Sequence, residues 1–555
     1  MLNFAVRSGT GLEIWNIQNK DGTTASSRQF KPFFKEAKSA RAMTCSSNFF
    51  AYGNSVDGVK VYNSKMELKF VVPRTKAYII KFSPKESFLI IYEIFASSKE
   101  NSDNPNLFFY DTSTGEEKCN FVMKRHSEWE PYFAQDESFF AIMLNNEICF
   151  YENFVKTSQK LSGKVGGFSV SPGASHVAVY IRGEKGSPSM CRLFKYPNIN
   201  TNPVSSKTFA QADKVEMIWN NKGTGCLIMT SMDVDSTGVS YYGKQALHFL
   251  ATSGDSYSVP LSAEGPIHAV SWSPKSNQFI VVYGYIPAKT TLFNFKCDSV
   301  FDFGTGIRNS IYFNDFGNLV LFGGFGNLKG QIEVWDLIKK KQVSMSLATD
   351  TTLVQWAPSG DLYFTATTAP RLRQGNGFKI WHYSGALLFE MMWPEKQELL
   401  ELMWQKSPEN TFKEMPINYD KVEGVQSVQK QASDKKYVPP NVRAFGEDST
   451  SSGAPAAQGP IPGLPPGYTS SKSQSASKGR YNQRRKPQSS NSATEGKTDK
   501  DDDDRKKSSG IKKKLKDIKI LKEKLEKGEK LDKNQLNKIT LEADLNKELA
   551  ALKLS

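Results

Sequence analysis

Trp272-Ser273-Pro274, with an apolar run opening a few residues later at Gln278, is a phrase that this chain repeats. It recurs as Phe82-Ser83-Pro84 and, with one change, as Trp356-Ala357-Pro358; looser copies centre on Cys45, Phe133, Val170, Trp219, Phe313 and Trp404. Neighbouring copies lie between 37 residues apart (45 to 82) and 53 apart (219 to 272), the range of propeller-blade repeats. A second phrase ends several of the same units: Glu13-Ile14-Trp15-Asn16, Glu333-Val334-Trp335-Asp336 and Lys379-Ile380-Trp381-His382. A unit of this length makes a small antiparallel sheet that cannot bury both faces alone, whereas units stacked around an axis share a continuous core.

Eight complete units start near residues 41, 78, 130, 166, 214, 267, 308 and 351. A ninth begins near Glu398 with Leu399-Leu400-Glu401-Leu402-Met403-Trp404 and then stops. Residues 4–7 and 12–17 read as strands with no inner strand before them. The two ends therefore complete each other, and their pairing covers edges that would otherwise be bare. The fold class read from this pattern is all-β: a nine-bladed, WD40-like β-propeller over residues 1–412 closed by both termini, with eight blades as the other count.

A propeller of that size accounts for most of the 555 residues as one domain, and 39% hydrophobic with 12% aromatic residues suffices for its core. Seventy-two basic against 57 acidic side chains leave a net charge of +15, an excess that points toward polyanionic partners, although basic linkers alone produce the same sum. Six scattered cysteines, with no C-x-x-C pair, read as reduced and buried thiols of a cytoplasmic protein. The start, Met1-Leu2-Asn3-Phe4-Ala5-Val6-Arg7, does not read as a secretory signal, and no run approaches the ~18 apolar residues of a membrane span.

Beyond residue 412 the composition changes. Residues 413–509, rich in Ser, Gly, Pro, Gln and Lys, read as a disordered basic linker with too little apolar surface to offset the entropy of ordering. Over residues 510–555 helical periodicity returns. Ile511, Leu515, Ile518, Leu521 and Leu525 form one apolar stripe, Gly528 breaks it, and Leu536, Ile539, Leu545 and Leu549 form a second after an Asp532/Gln535 capping box. Two short amphipathic helices of this kind suit a helical hairpin or a coiled coil made with a partner, and Ile511, Leu515, Ile518, Leu525, Leu536 and Ile539 are the candidate partner face.

No catalytic or metal-binding pattern is present. The five histidines (126, 176, 248, 268 and 382) share no ligand or catalytic spacing. Gly496-Lys497-Thr498 lacks the upstream glycine and strand of a phosphate loop. Gly323-Gly324-Phe325-Gly326-Asn327-Leu328-Lys329-Gly330 departs from G-x-G-x-x-G spacing and leads into a strand, so it reads as a tight turn. Asp233 and Asp235 lack the rest of a calcium loop; the loop at 233–243 reads instead as a recognition loop presenting Tyr241 and Tyr242. The chain is read as a non-enzyme without cofactor or metal.

The chemistry that is present is cationic. Lys478, Arg480, Arg484, Arg485 and Lys486 surround Tyr481; Arg505, Lys506 and Lys507 follow; Lys512, Lys513 and Lys514 open the first helix. Such clusters neutralise phosphates and bind RNA in a salt-dependent way, though a solvated linker or an import signal uses the same residues, and Asp501 to Asp504 offset them in part. Within the propeller, Arg371 and Arg373 of Ala369-Pro370-Arg371-Leu372-Arg373 share a loop from which forked donors reach phosphate or, equally, a structural carboxylate.

Several stretches resemble the family of eukaryotic translation initiation factor 2A. They are Ala212-Asp213-Lys214-Val215-Glu216-Met217-Ile218-Trp219-Asn220, the 233–243 loop, Ile286-Pro287-Ala288-Lys289 and Cys297-Asp298-Ser299-Val300-Phe301-Asp302-Phe303-Gly304-Thr305-Gly306. Residues 324–336 and 369–383, Tyr437-Val438-Pro439-Pro440 and Leu531-Asp532-Lys533-Asn534-Gln535-Leu536 extend the likeness. The resemblance implies a nine-bladed propeller and codon-dependent, GTP-independent delivery of initiator methionyl-tRNA to the small (40S) ribosomal subunit for a subset of mRNAs. It implies the small subunit, that tRNA, mRNA and other initiation factors as partners, with no membrane, and the chain is read as a monomer. It supplies no residue-level RNA contacts, and the short serine-rich linker carries fewer basic residues than longer members. Two further readings compete: a protein-interaction scaffold whose lysines serve solubility, and the propeller subunit of initiation factor 3, against which stands strand material beginning by Phe4.

Overall fold

The computed structural model describes residues 2–19, 28–96, 104–161, 163–173, 175–183, 187–199, 202–209, 212–232, 243–275, 278–408 and 410–429, with the single positions 518 and 542. Among the described residues, thirty-six strands form nine four-stranded antiparallel sheets. The first blade is the composite one: β1 (Leu2–Ser8), β2 (Gly11–Asn19) and β3 (Arg28–Glu36) are completed by the closing strand Leu399–Trp404, which lies against β1. Phe4 stands opposite Trp404 and Val6 opposite Leu402 in that pairing. Blades two to nine follow in chain order, each built from consecutive strands. Their first strands begin at Ala40, Ala77, Tyr132, Val165, Lys214, Ile267, Ser310 and Leu353, within two residues of the starts expected from sequence.

First strands of adjacent blades pack side by side, and the series runs from Ser310–Phe313 through Leu353–Trp356 and Leu399–Trp404 to Ala40–Cys45, which closes the ring. Second and third strands carry runs of buried apolar side chains, as in Phe-Leu-Ile-Ile-Tyr-Glu (Phe88–Glu93) and Leu-Val-Leu-Phe-Gly-Gly (Leu319–Gly324), because both of their faces are covered by neighbouring blades. The core is accordingly divided into nine apolar clusters, one at each interface between blades. At the seam, Phe4 from the N-terminal strand packs on Trp15, Phe378 and Trp404, with ring centroids 5.3 to 5.9 Å away.

The recurring aromatic has a specific task. At the end of its inner strand, the Trp272 indole N–H donates to the carbonyl of Ile218 (2.9 Å), Trp356 to Tyr312 (2.9 Å) and Trp404 to Gln355 (3.2 Å). Each acceptor is the penultimate residue of the preceding blade's inner strand. The serine that follows also has a role: Ser83 Oγ accepts from Phe88 N at 2.9 Å and pins the Ser-Pro turn. The glycine-rich stretch at 323–330 is a turn between two strands of blade eight, closed by Gly330 N donating to Gly324 O at 2.8 Å. Gly330 has φ +85°, and a Cβ there would stand 2.1 Å from Ala348 O, so no other residue fits.

The propeller's ordered contacts run past residue 412. The segment expected to leave as linker at 413 instead stays bonded to blades seven to nine as far as 429, because its backbone, a few polar side chains and Ile417 find partners there. Residues 430–509 lie outside the described residues.

Candidate nucleic-acid interface

After Trp404 the chain passes Asn3, whose carbonyl accepts from Gln405 N at 2.9 Å, and blade two, where Ser47 Oγ donates to Ser407 O at 3.3 Å. Glu414 then pairs with Lys275 of blade seven. Blades two and seven stand on opposite sides of a nine-membered ring, so residues 407–414 cross its axis. Lys406 acts electrostatically on both Asp315 of blade eight and Cys45 of blade two, as a residue over the mouth of the channel would.

The strap then docks on blades eight and nine. Ile417 packs against their shared core, and Asn418 N donates to Tyr383 Oη at 2.9 Å. Tyr419 donates its phenol to Asp336 Oδ2 at 2.5 Å. Asp336 ends the third strand of blade eight and caps the following turn: its Oδ1 accepts from Ile338 N (2.8 Å) and Lys339 N (3.0 Å). That turn carries Lys339, Lys340 and Lys341, all exposed. Lys339 and Lys341 each place Nζ 4.8 Å from the Tyr419 ring centroid, and Lys340 lies 5.3 Å from that of Phe301. Burial, followed by the bond to Asp336, pushes the Tyr419 phenol up to about 12, so it remains a neutral donor.

Further on, Val425 N donates to Leu387 O at 2.7 Å, along the outer strand of blade nine. Glu390 accepts from Val428 N (2.6 Å) and Ser427 Oγ (2.8 Å), and Lys379 reaches Gln429 Oε1 at 2.8 Å. Burial alone would raise the Glu390 carboxyl; these donors and the Lys379 ammonium hold it below the usual carboxylate range. The described strap thus ends at Gln429, on the rim of blade nine.

Arg371 and Arg373 sit on the loop joining the second and third strands of blade nine, and both are exposed. They do not converge. The Arg371 guanidinium turns toward blade eight, 3.1 Å from where a Cβ on Gly326 would stand, whereas Arg373 Nε lies 3.3 Å from Glu398 Oε1. That exposed ion pair contributes little to stability. Lys478, Arg480, Arg484, Arg485, Lys486, Arg505, Lys506, Lys507, Lys512, Lys513 and Lys514 lie outside the described residues, as do Ile511, Leu515, Leu525, Leu536, Ile539, Tyr241 and Tyr242. Ile518 is helical and buried. The sequence signal of the lysine turn is three consecutive lysines shortly after the aromatic-aspartate pair Trp335-Asp336.

Four of the five histidines have structural partners, and the buried Nδ1 of His176 has none. His126 bonds Tyr92, His248 bonds Ser258, His268 bonds the Gly284 carbonyl and His382 bonds Ser384. Burial pushes the thiols of Cys119, Cys191 and Cys297 up to about 12, which suppresses thiolate chemistry, and all six cysteines are free. Among the described residues no group of three or more His, Cys, Asp or Glu is arranged to hold a metal, and no helix is long and apolar enough to cross a membrane.

Comparison with known proteins agrees with this architecture. The family described as eukaryotic translation initiation factor eIF2A matches residues 207–402. Eukaryotic translation initiation factor 2A of Drosophila melanogaster is 41% identical, covering 99% of this chain and 98% of its own. That of Caenorhabditis elegans is 33% identical, with 99% of each covered. A crystal structure of a eukaryotic initiation factor superposes with a TM-score of 0.66 at 30% identity, covering 74% of this chain and 99% of the other. The likeness runs the length of the chain and includes the propeller, and on these grounds the chain belongs to the eukaryotic translation initiation factor 2A family of initiation factors.

Proposed function

We propose that this initiation factor is a non-enzymatic adaptor in the cytoplasm that promotes GTP-independent, codon-dependent binding of initiator methionyl-tRNA to the small ribosomal subunit for a subset of mRNAs. The observation that carries the reading is a closed ring with a described strap that ends at the rim of blade nine, followed in the sequence by a basic stretch. The strap anchors the chain at the rim of blade nine, and residues 451–500, which follow, hold eight basic and two acidic side chains. A rigid disc with a tethered cationic arm can hold a ribosomal surface while the arm samples RNA, and tethering raises the local concentration of that second contact to about millimolar for a short flexible linker. Lys478, Arg480, Arg484, Arg485 and Lys486 are the principal RNA contacts, supported by Arg505, Lys506, Lys507, Lys512, Lys513 and Lys514. Arg371 and Arg373 have a secondary part, since Arg373 is already shared with a carboxylate. Messenger RNA and other initiation factors complete the partners.

The test is sedimentation with 40S subunits and filter binding of RNA by the full chain and by a chain ending at residue 430, which keeps the strap. The shortened chain is expected to lose most RNA affinity at physiological salt and to sediment less with subunits. Equal binding by the two chains overturns the arm's role, and no sedimentation of the full chain with subunits overturns the adaptor reading.

A further inference from the structure

We infer that the lysine turn of blade eight, residues 337–341 with Tyr419 beneath it, is a docking point for the phosphodiester backbone of RNA. The inference rests on the adaptor reading above and places a contact of that function on the propeller itself.

Several cations elsewhere on the propeller are paired with carboxylates. Arg7, Arg28, Lys60, Arg74, Lys81, Arg308 and Lys379 each sit within salt-bridge distance of a carboxylate. Lys339, Lys340 and Lys341 have none, and they are the one run of three consecutive basic residues among the described residues. The nearby carboxylate of Asp336 is 1% exposed and turned inward, where its oxygens serve the turn's N–H groups and the Tyr419 phenol. The ammonium groups therefore face solvent with their charge unspent.

The ammonium groups are also positioned. A free lysine gives up about 2 kcal/mol of rotamer entropy when it is fixed on a partner. Here the Tyr419 ring lies beneath two of the three and Phe301 beneath the third, at distances where cation–π attraction operates. Part of that ordering precedes any ligand. Ile338, 73% exposed at the tip, adds a small apolar contact for a ribose or base. Three adjacent fixed cations match a polymer with one charge per unit better than they match an isolated carboxylate. A membrane surface is the weaker fit, since insertion draws on buried apolar area and the turn offers a single isoleucine.

The experiment uses the full chain, a fluorescein-labelled single-stranded RNA 20-mer, and vesicles containing phosphatidylserine. The variants are Lys339→Gln/Lys340→Gln/Lys341→Gln together, and separately Arg484→Gln/Arg485→Gln/Lys486→Gln. Three phosphate contacts at ~0.7 each give a slope of about 2 in log affinity against log salt. The turn variant is expected to lower the slope by about 2 and to weaken RNA binding roughly tenfold at physiological salt, with an unchanged melting curve. An unchanged slope in the turn variant while the parent binds RNA overturns the inference and leaves the adaptor reading standing. Lysine-dependent binding to vesicles without lysine-dependent binding to RNA also overturns it. RNA binding that depends on the turn in a chain that fails to sediment with subunits upholds the inference and defeats the adaptor reading.

Discussion

The Trp404 indole and the Gln355 carbonyl, 3.2 Å apart, repeat at the seam of the ring the contact that Trp272 makes with Ile218 and Trp356 with Tyr312 inside it. The strand that closes the propeller is held by the same device as its internal neighbours. At Trp219 the corresponding indole N–H is buried without a partner, so the device is used where geometry allows and not in every blade.

Trp404→Phe and Trp272→Phe should therefore cost about the same, near 1 kcal/mol each for the lost hydrogen bond plus a modest packing defect. Trp404→Ala should cost about 3–5 kcal/mol. Urea unfolding at fixed m value measures this. A Trp404→Phe penalty several times that of Trp272→Phe would show the seam to be a weak point.

Arg308 and Glu333 form a two-pronged pair in blade eight, with Nη2 to Oε2 at 2.7 Å and Nε to Oε1 at 3.1 Å, both side chains 5% exposed. Trp335 Nε1 and Gln331 Nε2 also donate to the carboxylate. Arg308→Met strands a buried negative charge and should cost about 3–5 kcal/mol. Arg308→Met with Glu333→Leu should recover part of that loss, because the double change removes both desolvated charges. Thermal and urea melts of the two variants check it, and a double variant that is no better than the single one contradicts it.

Burial holds the His382 imidazole down to about 4, with Arg28 adding to the shift and Asp361 opposing it. An unfolded chain titrates near 6.5, so between about pH 4 and 6.5 the unfolded state binds more protons than the folded one. Stability then falls as the pH drops through this window, by about 3 kcal/mol at most, and is insensitive to this group above it. His382→Asn keeps an acceptor for Ser384 N, as Asn294 does for Lys296 N and Asp298 N in blade seven. The variant should lose the His382 share of the pH slope between 4.5 and 6.5, measured by denaturant unfolding in a pH series, while His176 and His248, which burial also pushes down, keep theirs.

A chain ending at 412 should be less stable than one ending at 430 by about 2–4 kcal/mol, since it loses the bonds of Asn418, Tyr419, Val425 and Val428 at about 1 kcal/mol each before the ordering cost of the strap. Hydrogen exchange at Leu387 to Met392 should quicken in the shorter chain. Equal melts for the two chains would show the strap to be passive.

The blades were readable because their signals are local: an aromatic, a Ser-Pro turn and an apolar run occupy a dozen residues. The closing of the ring was readable too, since residues 4–7 and 399–404 each look like part of a blade. The hydrogen-bond partners of the aromatics were not, because they lie 44 to 54 positions upstream. The strap escaped notice for a different reason. Its composition is that of a linker, and it is held by backbone donors, a few polar side chains, one phenol 83 positions from Asp336, and the single apolar side chain of Ile417. Arg308 carries no local mark of burial, since nothing in its neighbours announces a carboxylate 25 positions away. Arg371 and Arg373 were correctly placed on a loop, but the side each turns toward depends on the neighbouring blade and connector.

Strand β1 lies between β2 and residues 399–404, and this order of pairing meets the direction in which ribosomes make chains. During its own synthesis the factor emerges with one flank of β1 bare, and that flank waits through the making of eight blades for its match. A nascent or prematurely terminated chain lacking residue 399 onward is thus a curved strip with a sticky border, a target for chaperones and for self-association, and not a smaller disc. Commitment to the finished shape falls at the last inner strand.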